Sequence, residues 1–395
     1  MVESLLHPLN IYIIALAIGF LVPLLHLIAP VLVRAALGLA LAAMTLISGI
    51  ALLRLTHGGP AIEILTGGAT PPLAINLRLA LPEALFAFSI NVFALFGVPF
   101  VMREKYGIVL LYLLAVMGIQ GMVMTRDLFN LFVFLEIVSI ATYGLLSLRD
   151  TPAALSAAFK YLMATVLASG FFLTGTLLLY AQTGLLNIDD LIASGSAIAG
   201  PVGIAGLIFV LACLLLELKP FPANGWGLDV YETARPDVAA LVSGGVSAGV
   251  FFALFKLLPL FEQQLPLIAV AAAVTFVFSN LIGLRQTNVP RLLGYSSIGQ
   301  MALMTMAAAL MHGTAAESTI VLVIGGLFVN HLFAKVGLFW LVGYVGTVRL
   351  RDWSRIADCP AVVVVFGVMI VAITGLPPFP GFFAKWQFIQ TLASE

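Results

Sequence analysis

The run Leu207-Ile-Phe-Val-Leu-Ala-Cys213-Leu-Leu-Leu-Glu217-Leu-Lys219-Pro220-Phe-Pro222 decides the fold. It closes an apolar stretch over about 201–218, long enough to enter a bilayer, and it ends on two prolines. Proline removes a backbone donor and breaks a helix. Inside a membrane such a break is tolerated only where it is buried in protein or lines a water-filled cavity. Free carbonyls, Glu217 and Lys219 all fall at this point. Glu217 and Lys219 are two residues apart and so point to roughly opposite faces, unless the helix has already unwound. The same design returns at Gly375-Leu-Pro377-Pro378-Phe-Pro380-Gly381, where helix resumes through Phe-Phe-Ala-Lys385-Trp386. The two breaks are five spans apart, and an odd offset inverts the second unit relative to the first. Inverted repeats with interrupted helices are the sequence pointer to an ion path at mid-membrane.

Composition agrees with a membrane setting. Of 395 residues 62% are hydrophobic and only 9% are charged, against about 25% charged in soluble domains. A soluble enzyme, a nucleic-acid binder and a disordered chain are excluded on that ground. Zero net charge argues against a polybasic surface for lipid or nucleic acid. The two cysteines, Cys213 and Cys359, are too far apart to suggest a disulfide framework or metal spacing. A spanning helix needs roughly 20 mostly apolar residues. That rule gives about twelve spans, near 9–29, 33–54, 83–102, 107–125, 128–148, 155–181, 201–218, 236–260, 265–284, 292–312, 318–346 and 361–391. The expected fold is therefore an all-α polytopic membrane protein. No cleavable signal peptide stands out.

Arg34, Arg103, Lys105, Arg149, Arg235, Arg285, Arg291, Arg349, Arg351 and Arg355 collect on one side of these spans. Arg54, Arg78, Arg126 and Lys256 collect on the other. The positive-inside rule makes the first side cytoplasmic and the N-terminus external. Two longer connections remain. The loop 55–82, with its glycines, prolines and the alternation from Leu73 to Leu79, reads as a short hairpin. The loop 182–200, with Asp189 and Asp190 among leucines and isoleucines, reads as a short interfacial helix.

Charges at bilayer depth cost roughly 2.5–3.5 kcal/mol each on insertion scales, which makes them functional candidates. Glu136 lies near the middle of its span with no cation within one turn, so it is protonated or paired from another helix. Lys160 opens the sixth span and either acts in the path or snorkels to the surface. His331 and Lys335 are four apart on one helical face beside Asn330. A histidine titrating near neutral pH beside a desolvated lysine suits proton passage. Lys385 lies on the half-helix after the second break. The candidate path is therefore Glu136, Lys160, Glu217, Lys219, His331, Lys335 and Lys385, with breaks at Pro220, Pro222, Pro377, Pro378 and Pro380. No haem histidine pair, iron–sulfur cysteine set or nucleotide loop is visible, so no cofactor or metal is expected in this chain.

Several of these stretches resemble the antiporter-like membrane subunits shared by respiratory complex I, membrane-bound hydrogenases and Mrp-type cation/proton antiporters. Asp127-Leu-Phe-Asn-Leu-Phe-Val-Phe-Leu-Glu136 is similar to the fifth-helix motif, and Phe159-Lys160-Tyr161 to the sixth. Pro222 to Trp226, with Asp229, Tyr231, Ala234 and Pro236, resembles the segment after the broken seventh helix. Arg291-Leu-Leu-Gly-Tyr-Ser-Ser-Ile298, Asn330-His331-Leu-Phe-Ala-Lys335 and Gly375 to Trp386 resemble the tenth, eleventh and twelfth. The resemblance implies a mid-membrane line of Lys, Glu and His linked by water, with a half-channel to each side. It implies that Glu136 controls the seventh-helix lysine, and that the proton passes through Lys335 and His331 to Lys385. It also implies other membrane subunits as partners, further antiporter-like ones among them, in the cytoplasmic membrane of a prokaryote.

The chain departs from that pattern in three places. The residue nine before Trp226, where the family usually carries lysine, is Glu217, and Lys219 follows two later. Asn224 stands where histidine is common. Ser243-Gly244 leads to Ala248 where the eighth helix usually has lysine. The first half of the path is expected to lack a cation, and the family's last two or so helices are not expected in this chain. The resulting division is 1–106 for the first three helices, 107–262 for the first repeat and 263–395 for an incomplete second repeat. Three readings stay open: a proton-translocating subunit, with or without Na⁺ exchange, of a redox-driven or Mrp-type complex; an antiporter-like scaffold; and a stand-alone small-solute transporter.

Overall fold

The computed structural model describes residues 7–101 and 104–394. Arg103, one of the charges used above for orientation, lies outside the described residues. A helix occupies each of the twelve stretches read as spans. In order these are α1 (Asn10–Ile28), α2 (Pro30–Thr56), α3 (Leu81–Val101), α4 (Tyr106–Met124), α5 (Leu128–Leu146) and α6 (Pro152–Thr183). A short α7 (Ile188–Ala193) follows, then α8 (Pro201–Glu217), α9 (Gly225–Thr233), α10 (Pro236–Leu241) and α11 (Ser247–Leu257). The chain continues through α12 (Leu265–Gly283), α13 (Val289–Met311), α14 (Glu317–Val345), α15 (Pro360–Thr374) and α16 (Pro380–Ala393).

Among the described residues, eight helical stretches are long and apolar enough to cross a bilayer, and the shorter apolar α8 and α15 are the halves that precede the breaks. Residues 236–283 count as one stretch by length, but a 3₁₀ segment over Leu258–Gln264, with Phe261 out of helical conformation, divides it into two spans. Large apolar side chains face outward: Phe20 is 80% exposed, Leu27 81% and Leu284 83%. Soluble proteins do not present so much contiguous apolar surface to water, and a hydrocarbon surround removes the conflict.

Local chemistry explains the element ends. Pro30, Pro236, Pro360 and Pro380 sit in the first helical positions, where a missing N–H is harmless. The Asn187 side chain caps α7 by accepting from the amides of Asp189 and Asp190. The loop 55–82 forms the expected antiparallel hairpin, β1 (Ile62–Leu65) with β2 (Asn76–Leu79), in register Ile62 to Leu79. The expected short helix in 182–200 is α7.

The chain divides into two compact units. The first holds residues 1–145 and 166–213, the second 146–165 and 214–395. α6 contributes its opening turns to the second unit. In the first unit, α2, α3 and α4 are joined by a buried polar chain. Asn91 donates to Ser48 Oγ at 3.1 Å, and Gln120 donates to Asn91 Oδ1 at 3.0 Å. Among apolar helices such bonds supply direction that hydrophobic packing cannot. Also in the first unit, α6 and α8 cross at Gly175 and Gly206. A Cβ on Gly175 would stand 2.5 Å from the Gly206 carbonyl oxygen, so only glycine permits the approach.

Candidate functional site

The second unit gathers most of the ionisable groups singled out from sequence. At the first break the helix ends at Glu217, and Lys219 takes a left-handed φ of 60°. This is the unwinding that frees Lys219 from the face its spacing would impose. Its side chain turns back. The ammonium donates to the Glu217 carbonyl oxygen at 3.1 Å and to Ser247 Oγ at 3.1 Å, and it stands 5.3 Å from the centre of the Trp226 ring. Glu217 and Lys219 are both buried. A little beyond, the Phe221 amide donates to Thr275 Oγ1 at 3.0 Å, so a donor freed by the break is satisfied across the helix gap.

At the second break Gly375 has φ 82° and ends α15. Asn330 donates to the Ala372 carbonyl oxygen at 2.9 Å. The Lys385 ammonium reaches the carbonyls of Ile373 and Thr374 at 3.4 and 3.3 Å. Both lysines thus hold the orphan carbonyls at the end of the half-helix before the break, which is also the negative end of its dipole. They arrive from opposite directions. Aligning Pro220-Phe-Pro222 with Pro378-Phe-Pro380 places Gly227 opposite Lys385 and Glu217 opposite Gly375. Lys219 leaves the break and lies against Gly227, where a Cβ would meet its Cδ at 2.4 Å. Lys385 leaves the half-helix and lies against Gly375, where a Cβ would meet its Nζ at 2.8 Å.

Between these ends lies α14. His331 and Lys335 are each 1% exposed, and Lys335 is among the largest fully buried side chains. Lys335 feels the charge of Lys385, and His331 that of Lys335. His331 Nε2 approaches the Ser243 carbonyl oxygen at 3.2 Å. Ser243 belongs to a π turn over Val242–Val246 that joins α10 to α11, and its hydroxyl meets Ser297 Oγ at 2.7 Å. Ala248 is fully buried. Lys385 also lines a cleft of about 540 Å³ with Asn280, Ser296, Gln300 and Thr374.

Lys160 is placed differently. Its ammonium pairs with Asp229 at 2.7 Å and its side chain is 53% exposed. Arg291 joins both Asp229 at 2.9 Å and Glu232 at 2.6 Å, which ties α9 to α6 and α13. Burial alone would raise the Asp229 carboxyl. The hydrogen-bonded Lys160 and Arg291 outweigh it and hold Asp229 below the usual carboxylate range. Glu136 stands half-buried on α5 in the first unit. Among the described residues no cluster of three or more His, Cys, Asp or Glu is placed to hold a metal ion.

Sequence reading missed Ser247, Ser243, Ser297 and the Arg291–Glu232 pair as site components. A signal existed for the first two: Ser243 and Ser247 are four apart, on one face of a segment with two glycines between them.

Comparison with known proteins gives a consistent answer. The sequence family described as "NADH:quinone oxidoreductase/Mrp antiporter, TM" matches residues 125–394. The NADH-quinone oxidoreductase subunit N of Desulforudis audaxviator is 32% identical over 300 residues, covering 73% of this chain and 59% of the relative. An Na⁺/H⁺ antiporter subunit of Alkalihalophilus pseudofirmus is 29% identical, with the same shares covered. The chain thus spans about three fifths of the length of these curated relatives. Among solved structures, a chain of the membrane-bound sulfane sulfur reductase, an archaeal respiratory membrane complex, superposes with a TM-score of 0.89 at 30% identity, over 98% of this chain and 82% of that one. A chain of respiratory complex I from Thermus thermophilus superposes with a TM-score of 0.81 at 26% identity, over 97% and 83%.

Proposed function

The chain belongs to the NADH:quinone oxidoreductase/Mrp antiporter transmembrane family, and from that premise we propose that it moves protons across a membrane as one subunit of a larger membrane complex. It is an all-α, polytopic, antiporter-like membrane subunit. The observation that carries the proposal is the buried pair His331 and Lys335, followed by Lys385 at the second helix break. A lysine buried this fully is costly to keep charged. Lys335 exchanges a proton with His331 on one side and with Lys385 on the other. Lys219, held at the first break, supplies the corresponding cation of the first repeat.

Partners are other membrane subunits, antiporter-like ones among them. The orientation that places the arginine-rich side in the cytoplasm puts the N-terminus outside. Sodium exchange remains a variant of the same reading. A scaffold without transport is favoured by one observation, the fully buried Ala248 at the position where the family usually supplies a lysine.

Proton movement in energised native membrane vesicles tests the proposal. Lys335→Ala and Lys385→Ala are each expected to reduce it by at least about tenfold, the scale of a lost proton-transfer group. Wild-type movement in both variants would refute transport through this line and leave the scaffold.

A further inference from the structure

The π turn between α10 and α11 ends two residues before Ala248. In an α-helix the Ser247 amide would bond the Ser243 carbonyl, four residues back. Here it bonds the Val242 carbonyl, five back. That one-residue slip releases the Ser243 carbonyl from its helical partner, and His331 Nε2 occupies it at 3.2 Å. Single π turns inside α-helices occur often at functional sites. This one presses closely on α14: a Cβ on Gly244 would stand 2.7 Å from Val336 and 2.8 Å from Leu332.

A carbonyl oxygen accepts hydrogen bonds and cannot donate them, so Nε2 must carry the hydrogen. The ring's other nitrogen, Nδ1, is buried and has no hydrogen-bond partner. In the neutral ring it bears the lone pair. The same turn also holds the first break, because Ser247 Oγ accepts from Lys219 Nζ at 3.1 Å while donating to the Val242 carbonyl at 3.0 Å.

We propose that this π turn positions both halves of the path without conducting between them: the Ser243 carbonyl locks His331 as the Nε2–H tautomer, so protons enter and leave the ring only at Nδ1, and Ser247 holds the Lys219 ammonium in place. The inference rests on the reading of His331 and Lys335 as proton carriers. In the step itself an N–H bond of the Lys335 ammonium breaks and an N–H bond forms at His331 Nδ1. Lysine becomes a neutral amine, the ring becomes imidazolium, and no electrons change hands. The return step uses the same atom, because the Nε2–H faces a carbonyl that cannot take the proton onward. His331 is therefore a proton store for the second half. The two halves influence each other by charge and by the shared turn.

The test uses the intact membrane assembly with ¹⁵N-labelled histidine, with His331→Gln identifying the His331 signal by its loss. The expected spectrum shows protonated Nε2 and bare Nδ1. A neutral ring carrying its hydrogen at Nδ1 would overturn the proposal. In vesicles, Ser247→Ala is expected to cut proton movement about tenfold, and Ser247→Thr, which keeps the hydroxyl, to restore most of it. Equal movement in wild type and Ser247→Ala would remove Ser247 from the proposal. Lys335→Ala reports on the underlying reading separately: wild-type movement there would refute proton carriage whatever tautomer His331 adopts.

Discussion

Lys219 and Lys385 each do with one side chain what an ordinary helix end needs several groups to do. Their ammonium groups satisfy carbonyls that the broken helices leave open, and in return the carbonyls lower the cost of a cation at bilayer depth. The room for each is a missing side chain on the other half of its break. Gly227→Ala would bring a Cβ to 2.4 Å from Lys219 Cδ, which forces the ammonium away from Ser247. Proton movement in vesicles is expected to fall while the protein remains folded. Gly375→Ala adds a Cβ at φ 82°, a conformation costing roughly 1–2 kcal/mol for an L-residue, and crowds Lys385 as well. A lower melting temperature in detergent together with reduced proton movement is the expected pair of results. The lysines, His331 and both breaks were legible in the sequence, because an ionisable residue or a double proline inside an apolar run has few innocent explanations. The serines were not. Serine is common in such runs, and only the slipped register at Val242–Val246 gives Ser243 and Ser247 their roles.

The half-helix α9 is too short to stand alone and is fixed by charge. Asp229 and Glu232 lie one turn apart and are drawn to Lys160 and Arg291 on neighbouring helices. Because Asp229 is held below its ordinary range in the folded protein, its contribution is fully present above the unfolded value. It is lost as pH falls through the folded one. Thermal stability in detergent should therefore decline in acid, below about pH 4, and Asp229→Asn should weaken that dependence. Lys160 belongs to this tie, an outcome its snorkelling position at the start of the sixth span left open. In the first unit, Asn91 is the middle member of the Ser48–Asn91–Gln120 chain. Asn91→Ala removes both of these buried bonds and should cost about 1–2 kcal/mol, read from the unfolding midpoint in mixed micelles. This chain was invisible in the sequence, where three polar residues 43 and 29 positions apart carry no mark of adjacency.

At the scale of the whole chain, spans and breaks followed from apolar run length and proline placement, since the bilayer leaves the backbone so few choices. The compact units did not follow, because α6 is long enough to serve both and nothing in its composition marks where it changes allegiance. Purification in mild detergent should bring the chain out with other membrane subunits, and a lone monomer on mass analysis would speak for a stand-alone transporter. The traded positions of lysine and glycine in the two repeats have a historical consequence. If both halves descend from one ancestral segment, no single substitution leads from one arrangement to the other. A lysine gained at Gly227 while Lys219 remained would set two cations contending for one space, and a lysine lost first would leave the break without any. Descent between the two forms would have to pass through one of these two arrangements.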